Sequence, residues 1–273
     1  MTTRAKRVAA PQARARSDIR SILVHVEATA EAAPRLRAAA DLARDCDATL
    51  LGFGAQQAPG LGLVEPYAAG VGPGLRELDA AVEFGLARAE NLFRAAAAGL
   101  RSEWLALRDM PAPALARWSR GADLIVAGGA PLGASDAFRS SDTAELVLTS
   151  GRPVLVSPPQ GGRLVGEAVV VAWKDTRESR RAVADSLPFL KAAREVRVVE
   201  VCAGGDAFAL AELHTFEVVE NLRRHGVKAE AKALIGPPES VALELNQQAM
   251  AIDADLIVAG GYGRSRLGAW LLG

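Results

Sequence analysis

The residues Ala254-Asp255-Leu256-Ile257-Val258-Ala259-Gly260-Gly261 occur twice, because the same eight stand as Ala122 to Gly129, 132 positions earlier. A repeat of this length indicates two copies of one structural unit. Each copy is a short apolar run rich in β-branched residues that ends at two glycines, which is typical of a buried parallel strand running into a tight turn. In α/β proteins, ligands bind at turns of this kind, at the carboxyl ends of strands.

Apolar runs and amphipathic stretches alternate on either side of both copies. The first half predicts strands at 19–26, 48–53, 103–107, 122–127 and 153–157, with helices at 34–45, 75–99, 112–118 and 142–149 between them. The second half predicts strands at 167–173, 195–201, 227–234 and 255–259, with helices at 177–190, 207–225 and 240–250. Strict alternation indicates parallel sheets with right-handed crossovers. The predicted fold is α/β: two tandem doubly wound domains, each with a parallel five-stranded sheet and helices on both faces.

The domain boundaries follow from composition. A basic tail (1–17) precedes a first domain (18–157), and a linker (158–164) that opens with a proline–glycine break leads to a second domain (165–273). The first copy continues past its glycines through another helix and a fifth strand, whereas the second ends at Gly273. We therefore expect the second copy to be truncated, without its last helix and fifth strand. The glycine- and proline-rich stretch 54–74 predicts a long loop on the ligand-binding rim of the first domain.

The overall composition is that of a globular protein with no strong pull toward a polyanion. The 32 basic and 32 acidic side chains cancel, which argues against nucleic acid or anionic lipid as a partner. No run reaches the roughly 18–20 apolar residues that a membrane span needs. Cys46 and Cys202 are read as buried thiols in a reducing cytoplasm. The tail has no acid before Asp18; a transit peptide or a nucleic-acid-binding arm fits its composition, but we favour a solvated flexible tail.

The loop after the second octamer carries the clearest family resemblance. Gly260 and Gly263 are followed by nine further residues and then by Gly273. With the tandem repeat and the order of strands, this Gly-x-x-Gly, nine residues, Gly spacing resembles the universal stress protein family. The segment 170–178 also resembles that family's first strand and turn. The resemblance extends from about residue 19 to the end of the chain, although the hydroxyl residue that follows the last glycine in the family lies beyond Gly273.

The resemblance implies an adenine nucleotide in the second domain. Family members with this motif bind ATP, with Mg as its companion ion, and glycines let consecutive backbone N–H groups approach a phosphate closely. The nucleotide-binding residues carried over by position are Gly260, Gly263, Gly273, Tyr262 and, at the adenine, Val201. Lys174 stands where the family commonly has an acid, a departure for which Asp175 could partly substitute.

The first domain departs further from the family pattern. Pro131 replaces the second glycine of the motif, and proline has no N–H to donate to a phosphate. Ser141 and Thr143 keep hydroxyls that could meet a phosphate, and Glu27 keeps the acid after the first strand. We favour the simpler interpretation that Asp142 or Thr143 caps the following helix. The first site is thus expected to be degenerate and the second to be competent.

No catalytic arrangement is evident in the sequence. The three histidines are scattered, there is no P-loop, and the Ser-Gly-Gly-x-Asp-Ser run of adenine-nucleotide α-hydrolases is missing. Asp123 and Asp255 precede their strands, so helix capping or solvation is expected of them.

We therefore expect a cytoplasmic, non-catalytic stress-response protein that binds ATP. The alternative is a scaffold that acts through protein contacts without nucleotide. In the family, domains pair near the fifth strand, which implies pairing within the chain and a possible homodimer; a second sheet without that strand is expected to expose its edge and associate poorly.

Overall fold

The computed structural model describes residues 18–29, 32–58, 72–128, 138, 141–158, 160–162 and 165–261. Nine strands are described, named β1 to β9 in chain order: Ser21–His25, Thr49–Ala55, Ser102–Leu107, Leu124–Ala127, Val154–Val156, Ala168–Ala172, Glu195–Cys202, Ala229–Ile235 and Leu256–Ala259. Seven α-helices, α1 to α7, lie between them: Ala32–Cys46, Gly72–Ala96, Pro111–Trp118, Thr143–Thr149, Arg177–Ala192, Asp206–Arg224 and Val241–Ala251.

The strands form two parallel sheets with related topology. The first has the order β3-β2-β1-β4-β5 and the second the order β8-β7-β6-β9. Every pair is parallel, with Ile22 opposite Leu124 in the first sheet and Val169 opposite Leu256 in the second. The predicted α/β class with two doubly wound sheets is confirmed. In the second sheet, four strands lie within the described residues, so no fifth strand is seen in that part of the chain.

Helices cover both faces of each sheet and complete two-layered cores. On one face of the first sheet, Phe93 of α2 and Leu36 of α1 pack against the strands, and on the other face Leu115 of α3 and Leu146 of α4 do so. In the second sheet, Leu190 of α5 and Leu222 of α6 cover one face, and α7 covers the other. Phe189 of α5 also contacts the core of the first sheet. Within the described residues, no helix is long and apolar enough to cross a membrane.

Some boundaries differ from the sequence prediction. β2 continues through Gly54 to Ala55, and α2 begins at Gly72, so the stretch expected to be one loop contributes to both elements; residues 59–71 lie outside the described part. Glycine fits β2 because the Trp104 ring lies 2.9 Å from where a Gly54 Cβ would be. Helical spacing in the sequence predicts that Leu78 belongs to the buried apolar stripe of α2, but the residue is 39% exposed. Cys46 is buried as expected, but Cys202 is half-buried, and the two cysteines form no disulfide.

A short aspartate contact joins the two central strands of each sheet at their amino ends. Asp123 Oδ2 accepts hydrogen bonds from Arg20 N (2.8 Å), Ser21 N (3.0 Å) and Ser21 Oγ (3.0 Å). Asp255 Oδ1 accepts one from Ala168 N (3.1 Å). The expectation that these two carboxylates cap helices or are merely solvated was wrong, because each bonds the backbone at the start of the neighbouring strand.

Asp123→Ala is expected to lower the free energy of unfolding by about 2 kcal/mol, because it removes the charged acceptor of three hydrogen bonds. Asp255→Ala, which removes one such bond, should cost about half as much. Urea unfolding of both variants measures the difference. Equal losses in the two variants would contradict the assignment of three bonds to Asp123.

Candidate functional site

The strand orders place one crevice in each domain. The chain runs outward from β1 to β2 in one direction and to β4 in the other, so the first crevice lies at the carboxyl ends of β1 and β4. The second lies, for the same reason, at the carboxyl ends of β6 and β9. The glycines of the repeated octamer, Gly128 and Gly260, stand at these two points. We call these the first crevice and the second crevice.

In the second crevice, Gly260 lies directly against the backbone of α5. A Cβ at this position would be 2.6 Å from Ser179 N and 2.8 Å from the carbonyl carbon of Glu178. Such distances exclude any side chain unless the first turn of α5 moves. Thr176 caps that turn, since its hydroxyl accepts a hydrogen bond from Ser179 N (3.2 Å). At the end of β9, the main chain of Gly260 therefore packs directly against the main chain of Glu178 and Ser179.

The other residues predicted for the second site divide into two groups. Val201, in β7, is half-buried and packs with Leu234 and Leu245 beside the sheet, and Lys174, after β6, is exposed. Asp175, considered as a substitute acid, is already paired with Arg180. Tyr262, Gly263 and Gly273 lie outside the described residues. Their binding roles, and that of Val201, stay predictions.

In the first crevice, a buried ion pair lies against Gly128. Arg35 of α1 pairs with Glu27, and its Nε donates to the carbonyl oxygen of His25 at 3.3 Å. The side chains of Arg35 and Glu27 are only 5% and 9% exposed. A Cβ on Gly128 would lie 2.4 Å from Arg35 Nη1. The guanidinium therefore occupies the space directly above the end of β4.

His25 completes this cluster from below. Its Nδ1 is 3.5 Å from Glu27 Oε2, and its Nε2 is buried without a hydrogen-bond partner in the described part of the chain. Burial lowers the pKa of the imidazole, an effect that Glu27 opposes and Arg35 reinforces. His25 is consequently neutral at pH 7, and Glu27 has Arg35 as its cationic partner.

The hydroxyls predicted for the first site face the protein. Thr143 Oγ1 donates to the carbonyl oxygen of Gly128 at 2.7 Å, and Ser141 is 3% exposed. Asp142 accepts hydrogen bonds from Ala144 N (2.9 Å) and Glu145 N (3.2 Å), which makes it the N-cap of α4. The capping interpretation favoured from the sequence is therefore confirmed for Asp142.

Sequence reasoning missed a second buried polar cluster, under α6. Glu200 of β7 faces His214 of α6, with Oε2 and Nδ1 3.6 Å apart. Trp173 donates its backbone N–H to Val199 O (2.8 Å), which places Trp173 beside Glu200 on the sheet. Trp173 Nε1, Glu200 Oε2 and His214 Nδ1 are buried and lack hydrogen-bond partners among the described residues. The sequence feature that could have revealed this cluster is Glu200 itself, an acidic residue at an inward position of the valine-rich strand β7. No group of three or more metal-ligating side chains occurs in the described ranges.

Burial raises the pKa of Glu200 above its usual value of 4.5, although His214 and Lys174 act in the opposite direction. The folded protein therefore holds this proton more tightly than the unfolded chain. The resulting stability is present below pH 4.5 and is lost as the pH rises through the raised pKa.

Glu200→Gln should remove this loss, because glutamine does not ionise. Relative to the wild type, the variant is expected to gain stability progressively as the pH rises from about 4 to 8. Urea unfolding across that range tests it, with Glu217→Gln, at an exposed position on α6, the helix that carries His214, as the matched control. A constant difference between wild type and Glu200→Gln at every pH would contradict the prediction.

Comparison with known proteins gives a structural match but no sequence match. No protein-family model and no curated protein matches the chain. A universal stress protein from Archaeoglobus fulgidus DSM 4304 superposes with a TM-score of 0.64 and 17% sequence identity, covering 93% of this chain and 89% of its own. The similarity of this solved structure establishes the fold.

Two further solved structures match about half of the chain. A universal stress protein in complex with cAMP covers 52% of this chain and 98% of its own, with a TM-score of 0.36 and 20% identity. A universal stress protein from Archaeoglobus fulgidus in complex with dAMP covers 50% and 96%, with a TM-score of 0.35 and 21% identity. Similarity at these TM-scores carries no argument about the ligand of this chain.

Proposed function

We propose that this protein, which has the fold of the universal stress proteins, is a stress-response protein that binds an adenine nucleotide, ATP, in its second crevice. The observation that carries the proposal is the position of Gly260. It stands at the switch point of the second sheet, where the first turn of α5 leaves room for no side chain. Glycine there, followed by Gly263 and Gly273, supports a loop whose backbone N–H groups face a phosphate.

The proposal assigns binding without a catalytic step. The glycine loop would hold the phosphates, and Val201 would border the adenine. Mg²⁺ would arrive with ATP, since it is usually bound through substrate phosphates. Any hydrolysis would be slow and incidental. The cytoplasm is the proposed location.

Pairing of the two domains within the chain is part of the same proposal. The contact of Phe189 with the first core supports it. A groove of about 540 Å³ lies between β9 on one side and β5 and α4 on the other, and its walls include Leu148, Arg181 and Leu256. Among the described residues β9 is the edge strand of its sheet, and a homodimer is proposed as a further state that such an edge would permit.

A titration of the full-length chain with ATP tests the proposal. Calorimetry is expected to give about one ATP per chain and a smaller affinity for GTP, because an adenine-fitted site rejects other bases. Absence of ATP binding by the folded protein would overturn it.

The second candidate is a scaffold that acts through protein contacts, and exposed apolar side chains on α6 favour it. Leu210, Leu213 and Phe216 recur every three residues along this helix and are each more than half exposed. Apolar stripes of this kind often mark protein-binding surfaces. The ATP titration distinguishes the two candidate functions, because the nucleotide-binding function requires ATP to bind and the scaffold function does not.

A further inference from the structure

We propose that Arg35 occupies the first crevice in place of a nucleotide, and that it thereby decides which of the two domains binds one. This inference rests on the proposed function, because it concerns the selectivity of the same type of site. The inference adds Arg35, a residue that the glycine motif does not identify. Arg35 lies on α1, far in sequence from the octamer glycines, and it reaches the crevice only in the folded domain.

The first argument is one of space. Arg35 Nη1 lies within 2.4 Å of the position that a Cβ of Gly128 would take. In the second crevice, the corresponding position at Gly260 faces the backbone of α5, with no cationic side chain beside it among the residues nearest to that point. A ligand that approaches the end of β4 meets a guanidinium, whereas a ligand that approaches the end of β9 meets main chain.

The second argument is one of charge and hydrogen bonding. Glu27, which follows β1 at the first crevice, is already paired with Arg35. Arg35 Nε already donates a hydrogen bond to the carbonyl oxygen of His25, and the hydroxyl of Thr143 already donates one to the carbonyl oxygen of Gly128. A ligand would have to break a buried ion pair before it gained contacts of its own, and separating such a pair leaves a buried charge without compensation.

The third argument is that this arrangement is specific to the first domain. Within the described part of the chain, Arg35 is the one lysine or arginine residue that is buried. The arginines of α5, including Arg177, Arg180 and Arg181, are well exposed. The two crevices have the same arrangement of strands and the same octamer, yet among the described residues a buried cation lies beside the glycine of the first crevice alone. Arg35 is therefore a specificity-determining residue.

The test counts the ATP molecules bound per chain by calorimetry. The wild type is expected to bind about one and Arg35→Ala about two, the second roughly tenfold more weakly because Pro131 donates no N–H. Arg44→Ala, an exposed change on the same helix, is the matched control and should stay at one. In Arg35→Ala/Gly260→Ala, the gained site should persist while the original site is weakened, which places the gain in the first domain.

Because Arg35→Ala leaves Glu27 buried without a cationic partner, the double variant Arg35→Ala/Glu27→Gln is used if the single variant does not fold. Two ATP molecules on the wild type, or an unchanged number on the folded Arg35 variants, would overturn the inference. A wild type that binds none while Arg35→Ala binds one would overturn the proposed function and support this inference. The two failures are therefore distinguishable.

Discussion

Gly260→Ala is expected to reduce the affinity for ATP by about ten- to a hundredfold, a change that calorimetry or equilibrium dialysis measures directly. The added methyl would lie 2.6 Å from Ser179 N and 2.8 Å from the Glu178 carbonyl carbon. Both are main-chain atoms, so the strain cannot be relieved by rotating a side chain. The first turn of α5 must move away from the end of β9, which widens the second crevice and displaces the donors that a bound phosphate requires.

Gly121→Ala is the matched control for this change. A Cβ at Gly121 meets no atom within 4 Å, and the residue immediately precedes the first copy of the octamer. Its affinity for ATP should equal that of the wild type. If Gly260→Ala bound ATP as tightly as Gly121→Ala does, the nucleotide would not be in the second crevice.

Glu27→Ala is expected to lower the free energy of unfolding of the first domain by about 3–5 kcal/mol. The substitution leaves the guanidinium of Arg35 buried, with only 5% of its side chain exposed and no carboxylate beside it. His25 offers no replacement, because burial lowers the pKa of its imidazole and keeps the ring neutral, so it supplies no negative charge. Urea unfolding measures the loss.

The exposed pair of Asp41 and Arg44 on the same helix provides the comparison, since its side chains are 53% and 54% exposed. Asp41→Ala should change the stability by no more than about 0.5 kcal/mol, because water screens the pair and solvates the remaining charge. A loss at Glu27 as small as that at Asp41 would mean that Arg35 finds another partner or reaches solvent, and the space-filling role proposed for it would fail with that result.

The repeated octamer and the helical periodicity were sufficient to predict the architecture. The helix predicted at 177–190 occurs as Arg177–Ala192, and the strand predicted at 195–201 as Glu195–Cys202. Helices and strands such as these could be predicted because the local spacing of apolar residues, which is visible in the sequence, determines them. Gly54 misled the prediction because glycine usually interrupts a strand. Here it remains in β2, since the Trp104 ring from the neighbouring strand fills the space where its side chain would be.

The contents of the crevices could be predicted only in part. The position of Gly260 at the end of a strand could be predicted from the repeated octamer, and its role in binding stays a prediction. The position of Arg35 could not, because on a helical wheel it is one arginine among several, and only the packing of α1 on the sheet brings it to Gly128. The pairing of Glu200 with His214 likewise depends on where α6 crosses β7. Such contacts between distant segments are properties of the tertiary fold.

The aspartate contacts also bear on the order in which the two domains assemble during synthesis. The hydrogen bond from Ser21 N to Asp123 spans 102 residues, and that from Ala168 N to Asp255 spans 87. Each central pair of strands can therefore form only after nearly a whole domain has left the ribosome, and the amino-terminal domain leaves it first. The first domain can complete its sheet while the second is still being translated. The proposed nucleotide site would appear only after Gly260 has emerged, so a nascent chain would acquire ATP only after its first domain has been synthesised.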